Sequence, residues 1–234
     1  MKQNRLVLLA AVVGLWVSGA ALAAGTLHVR HDHDPWGSCT GELTITAKGI
    51  QYHSDDKEEH SRDWSWTDIQ TVDRLSADRF SILTYEDQNW LLGRDRPWDF
   101  TVLDPQAGGL TDQLFAVIRQ NEPRPLVDRI PRQIKVDYQI PVKHLHTFGG
   151  CEGILEFNRD WIVYKTDHKE DARTWRRGKD VASVWSTGPF DLEIEVYEKN
   201  GQDLLRTRRY RFELKQPLDE AYYNRLKREF IPAR

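Results

Sequence analysis

Several common signatures are missing from the 234 residues: there is no HExxH, no GxSxG and no glycine-rich loop of the phosphate-cradling kind. The zinc-hydrolase, serine-hydrolase and P-loop classes that those patterns mark are therefore not written here. Beyond the first two dozen residues no apolar run approaches the roughly 20 residues that a membrane-spanning helix needs. Charge of one sign is lacking as well. Lysine and arginine total 33 against 36 acidic residues, a net charge of −3. Such mild acidity, spread along the chain, argues against a nucleic-acid partner. The basic tracts RTWRR (173–177) and RTRRYR (206–211) alternate with apolar or aromatic residues, which predicts strands with one solvated face rather than an anion-binding patch. Cysteine is scarce, at two residues.

What is present begins with a secretory signal. Lys2 and Arg5 precede the apolar run LVLLAAVVGLWV, and Ala21-Leu22-Ala23 supplies the small residues of a cleavage site. Residues 1–23 are read as a signal peptide, and the mature chain as secreted to a periplasm, with no transmembrane segment. No cysteine directly follows the run, so a lipid anchor is not expected.

The rest repeats itself. CTGELTITAKGIQYHSDDKE from residue 39 and CEGILEFNRDWIVYKTDHKE from residue 151 share Cys39/Cys151, Gly41/Gly153, Leu43/Leu155, Ile50/Ile162, Tyr52/Tyr164 and Asp55/Asp167, all 112 residues apart. After a one-residue slip Arg62 and Trp64 recur as Arg173 and Trp175, and the register returns at Ile69/Val181. This predicts two copies of one unit, 26–122 and 133–234, joined by a proline-interrupted linker, 123–132.

Within the first copy LTIT, IQYH, DWSW, FSILTYE and WDFTVL read as short strands separated by turn residues. A helix closes each copy: Thr111 or Asp112 caps one carrying Leu114, Phe115 and Ile118 on one face, and Pro217 opens another carrying Tyr222, Leu226 and Phe230. The expected fold class is mainly β with α, two small sandwich or barrel units each closed by a C-terminal helix. The tract WSWTDIQTV (64–72) resembles the W-x-W-x-D-I-x-x-V stretch of bacterial pleckstrin-homology-like and GRAM-like domains. In the second copy the tract is altered, with Arg177 in place of Trp66. The resemblance implies a binding or scaffolding module rather than an enzyme, and carries no catalytic residues.

One pattern with chemical potential occurs twice: HDHDPWGSC (31–39) and HLHTFGGC (144–151), each a His-x-His, a turn, then Cys-x-Gly-x-Leu. Residues two apart on a strand share a face, so the cysteine points inward with Leu43 and Ile45. A hairpin that sets His33 across from Cys39 and His31 across from Gly41 would gather two imidazoles and a thiol at one end of the core, with the glycine making room. Three readings are open: neutral, hydrogen-bonded core histidines with a buried thiol; a zinc or copper site at His31, His33 and Cys39, matched by His144, His146 and Cys151; or a Cys-His nucleophile. An oxidising compartment also permits a Cys39–Cys151 disulfide. His60 reads as a solvated loop residue, and Trp36, Trp90, Trp98 and Trp161 as turn or strand-end packing. The expectation is thus a non-enzymatic exported module without a cofactor, its partner a protein, peptide or envelope ligand, with metal binding as the alternative.

Overall fold

The computed structural model describes residues 25–33, 36–88, 91–104, 109–168, 170–198 and 207–230. The expected signal peptide, Trp90 and Arg206 lie outside them. Seven strands, β1 (Gly25–Asp32), β2 (Ser38–Ile45), β3 (Gly49–Ser54), β4 (Arg62–Ser65), β5 (Ile69–Arg74), β6 (Arg79–Gln88) and β7 (Leu91–Val102), precede α1 (Asp112–Asn121) and a two-residue strand, β8 (Val127–Asp128). Then follow β9 (Tyr138–Leu145), β10 (Gly150–Phe157), β11 (Trp161–Lys165), β12 (Arg173–Arg176), β13 (Val181–Trp185), β14 (Asp191–Val196), β15 (Arg208–Leu214) and α2 (Glu220–Phe230). The chain is mainly β, in two sheets of eight and seven strands with the orders β4-β3-β2-β1-β7-β6-β5-β8 and β12-β11-β10-β9-β15-β14-β13. No helix among the described residues is long and apolar enough to cross a membrane.

Alternation produces these sheets. In β2, Cys39, Gly41, Leu43 and Ile45 are buried while the residues between them are partly or fully exposed, as a period of two requires. The inward residues of the first sheet form one core with Phe115, Val117 and Ile118 of α1, and those of the second form another with Tyr222 and Leu226 of α2. Thr111 caps α1 by accepting from the Leu114 amide at 3.2 Å. The second helix starts at Glu220, three residues later than Pro217, because the Asp219 carboxylate takes the Tyr222 amide at 2.6 Å and sets the first turn there.

The connector departs from expectation in carrying a strand. Between Pro125 and Pro131 the backbone can still donate, and Val127–Asp128 adds parallel to β5. RTWRR departs too: Arg173, Thr174, Trp175 and Arg177 are all buried. Each finds a partner that alternation does not reveal. Arg173 donates to the Tyr210 hydroxyl, Thr174 bonds the Ile130 carbonyl, and Arg177 reaches the Asn158 carbonyl at 2.6 Å, in the turn equivalent to the one where Trp66 donates to the Ala47 carbonyl in the first half. RTRRYR does alternate where described, with Arg209 and Arg211 exposed and Tyr210 buried.

The two halves meet through buried charge. Arg119 of α1 pairs with Asp128 at 3.4 Å and with Asp180, at the start of β13, at 3.2 Å. Lys179 donates to the Glu122 carbonyl at 2.8 Å, while the Glu122 carboxylate accepts only the Arg124 amide through one oxygen, leaving the other buried and unpaired. Burial raises Glu122 from 4.5 to about 7, so the folded chain holds a proton there that the unfolded chain has released. Between these two values stability falls as pH rises, by up to about 3 kcal/mol. Glu122→Gln should remove this slope and be the more stable protein at pH 8, as urea unfolding at pH 5 and pH 8 would show; an unchanged slope would mean that Glu122 does not titrate in this window.

Candidate metal centre

The His-x-His pairs lie at the ends of β1 and β9, the strands that join the two parts of each sheet. The observed register is offset by two residues from the one expected: His31 pairs with Cys39, and Val29 with Gly41. The turn is longer than a tight hairpin, closing from the His33 amide to the Gly37 carbonyl with Gly37 at φ 107°. An even offset keeps every side chain on its expected face, so the imidazoles and thiol still meet. In the second half the turn is one residue shorter, from His146 to Gly149, and His144 pairs with Cys151. The glycines make room for something other than the imidazoles. A side chain at Gly41 or Gly153 would strike the His53 or Lys165 carbonyl and the Tyr52 or Tyr164 ring.

In the first cluster Cys39 Sγ lies 3.0 Å from His33 Nε2, 3.9 Å from His31 Nδ1 and 3.0 Å from the Tyr52 hydroxyl. His31 is 2% exposed and stacks on Trp98 with centroids 4.6 Å apart. Burial, then the neighbouring His33 and Arg96, lower its pKa to about 3, and burial with His60 lowers that of His33. Both rings are therefore held neutral. In the second cluster His146 Nε2 lies 3.0 Å from Cys151 Sγ, and Asp171 Oδ2 lies 3.0 Å from His144 Nδ1 and 3.4 Å from His146 Nε2. Although burial opposes it, the His144 hydrogen bond and charge bring Asp171 down to about 2. Burial and then the Asp171 charge push the Cys151 thiol up to about 11.

These electrostatics oppose a nucleophile. A reactive thiolate needs an imidazolium or another cation beside it, whereas the first cluster keeps its imidazoles neutral and the second sets a carboxylate against the thiol. Nor is there a triad, because the thiol and the Asp171 carboxylate approach the same nitrogen of His146 rather than opposite ones. Both cysteines are free and buried in separate halves, so the disulfide does not form.

Metal chemistry fits better. The donor atoms of His31, His33 and Cys39 lie within 4.8 Å of one another, as do those of His144, His146 and Asp171. Zinc–nitrogen and zinc–sulfur bonds at a tetrahedral angle place N and S about 3.5 Å apart, between the 3.0 and 3.9 Å seen around Cys39. Cys151 adds a fourth donor to the second group, its sulfur 3.0 Å from His146 Nε2 and hydrogen-bonded to Asp171. Asp171 escapes a search for repeated His and Cys, yet the slip that aligns Arg62 with Arg173 aligns it with His60. His60, expected in solvent, packs its ring edge-on to His33 at 4.7 Å, with Nδ1 buried and unpartnered. Trp98 is likewise a core residue of β7, with its indole covered, because it faces His31; Trp36 sits exposed on the turn. A cleft of about 640 Å³ opens over the second cluster, lined by His146, Cys151, Asp171, Arg129 and Arg208 among others.

No family model matches the chain, and no curated protein is similar to it. Among solved structures, the Spt16D Pob3N heterodimer aligns with 80% of this chain and 95% of that chain, at 10% identity and a TM-score of 0.31. That likeness is too slight to carry an argument about function.

The raised Cys151 pKa has a direct readout. At pH 8 the thiolate fraction should be about 100-fold below that of an ordinary cysteine, so iodoacetamide should label Cys151 at least that much more slowly in the folded reduced chain than in urea, measured by peptide mass spectrometry. Comparable rates would restore the nucleophile reading.

Proposed function

We propose that the chain is an exported, non-enzymatic binding protein made of two pleckstrin-homology-like copies, 26–122 and 133–234, and that its two His-x-His clusters bind zinc or copper. The observation that carries the metal reading is the twofold convergence: the same strand end in each sheet gathers three donors, His31, His33 and Cys39 in the first and His144, His146 and Asp171 in the second, where the Cys151 sulfur also lies 3.0 Å from His146. The neutral imidazoles of the first cluster support it, since a metal ligand must be unprotonated. The copy reading is supported by equivalent strand orders with a helix after the seventh strand of each series, together with the sequence repeat. Equivalent polar contacts support it further: Trp64 donates to Glu86 and Trp175 to Glu198, each at 2.8 Å, and Asp68 and Asp180 each accept the amide that opens the following turn. A protein, peptide or envelope ligand remains the partner class for the rest of the surface.

Reduced chain titrated with zinc or cuprous ion should bind near neutral pH with a stoichiometry of two per chain across both ions. A metal at 100 times its dissociation constant adds about 2.7 kcal/mol per site. Melting temperature should rise accordingly and return to the metal-free value on chelation. His33→Ala should cost the stability difference only when metal is present; a loss of the same size in chelator would identify His33 as a structural residue. No heat of binding for either ion at micromolar concentrations would end the metal reading.

A further inference from the structure

Resting on the metal reading, we propose that the two centres take different ions, the first a cuprous ion and the second a divalent ion of the zinc type, with the exchange of His60 for Asp171 as the selecting difference. The two occupy equivalent places, each two residues before the arginine that opens β4 or β12 (Arg62, Arg173) and each beside the outer histidine of its pair. His60 packs on His33 with its centroid 4.7 Å away; Asp171 Oδ2 is 3.4 Å from His146 Nε2.

Charge balance decides the ion. A buried metal complex with net charge pays a desolvation cost that a neutral one avoids, and each centre has a pair of arginines over the aromatic ring that its inner histidine packs against. Arg62 and Arg96 lie over the Trp98 ring at 5.1 and 4.1 Å, and Arg173 and Arg208 over the Tyr210 ring at 5.6 and 4.8 Å. One arginine of each pair meets a glutamate: Arg62 pairs with Glu86 at 3.6 Å, and Arg173 with Glu198 at 3.9 Å. The donors themselves differ in charge. In the first centre the Cys39 thiolate is the one anionic donor of the three, so a monovalent ion gives a neutral complex and a divalent ion leaves a positive charge that no donor balances. In the second, Asp171 and the Cys151 thiolate together neutralise a divalent ion. Donor softness agrees, since an imidazole and thiolate set suits cuprous copper and an added carboxylate moves the preference towards harder ions. At each centre the metal–sulfur bond replaces the S–H bond and one proton goes to solvent. The cleft beside His146 and Asp171 offers the second ion an entry path.

The experiment uses the full reduced chain under anaerobic conditions, loaded with one equivalent each of cuprous and zinc ions against chromophoric competitors. His33→Ala should release the cuprous ion and keep the zinc, and His146→Ala the reverse. Asp171→Asn, which preserves shape, should weaken zinc at least tenfold and leave cuprous affinity within about twofold. His60→Asp should raise the zinc affinity of the first centre, a gain that misfolding does not produce. If both ions prefer the same centre, or if Asp171→Asn weakens both equally, the assignment fails while metal binding stands. If the wild-type chain binds neither ion, the underlying reading fails with it.

Discussion

The strand end at His31 is held from both sides, and the rest of the site depends on that. β1 pairs along its length with β2 and over its last four residues with β7, so His31 stands between Cys39 on one neighbour and Phe100 on the other. His144 stands between Cys151 and Phe212 in the same way. A slip of one residue would turn Leu27 and Val29 outward together with the histidine. The apolar core therefore fixes the position of the imidazole. The second histidine follows two residues later, where β1 has lost its neighbours and the turn begins, so it is partly exposed and can reach both the thiol and solvent.

How much of this was legible in the sequence depends on the range of the interaction. Alternation placed Cys39 inward beside Leu43 and Ile45, and local capping chemistry placed the start of α1 at Thr111 or Asp112, of which Thr111 makes the bond. Register was harder, since two offsets of equal parity satisfy the same alternation and only the five-residue turn chooses between them. The start of α2 was missed by three residues because Pro217 and Asp219 both carry helix-start signals, and the carboxylate that actually bonds the Tyr222 amide sets the boundary.

The charged residues show where one-dimensional reading stops. RTWRR has the pattern of a wet-faced strand, yet Arg173 is buried against Tyr210 and Glu198, residues that arrive from β15 and the segment before it. Arg119 sits on a helix face that looks solvated until Asp180 approaches from the second half. Breaking such a pair costs more than the pair contributes, because the remaining charge stays buried. These contacts therefore constrain how the halves meet more than they add to stability.

The same reasoning bears on why imidazoles and thiols occupy the strand end at all. A core needs no such groups: replacing a satisfied buried polar cluster by apolar side chains of equal volume is often neutral or stabilising. The halves differ around the cluster, with Trp98 against Tyr210 and Trp66 against Arg177, and each exchange keeps a ring beside the inner histidine or a carbonyl bonded. The two imidazoles, the thiol and the tyrosine beside it are the same in both. Packing alone would admit an apolar side chain at His31, which Trp98, Phe100 and Tyr52 already surround with carbon. What packing does not supply is a reason to pair that ring with a second, half-open histidine across a sulfur atom. Coordination of an ion between them supplies one.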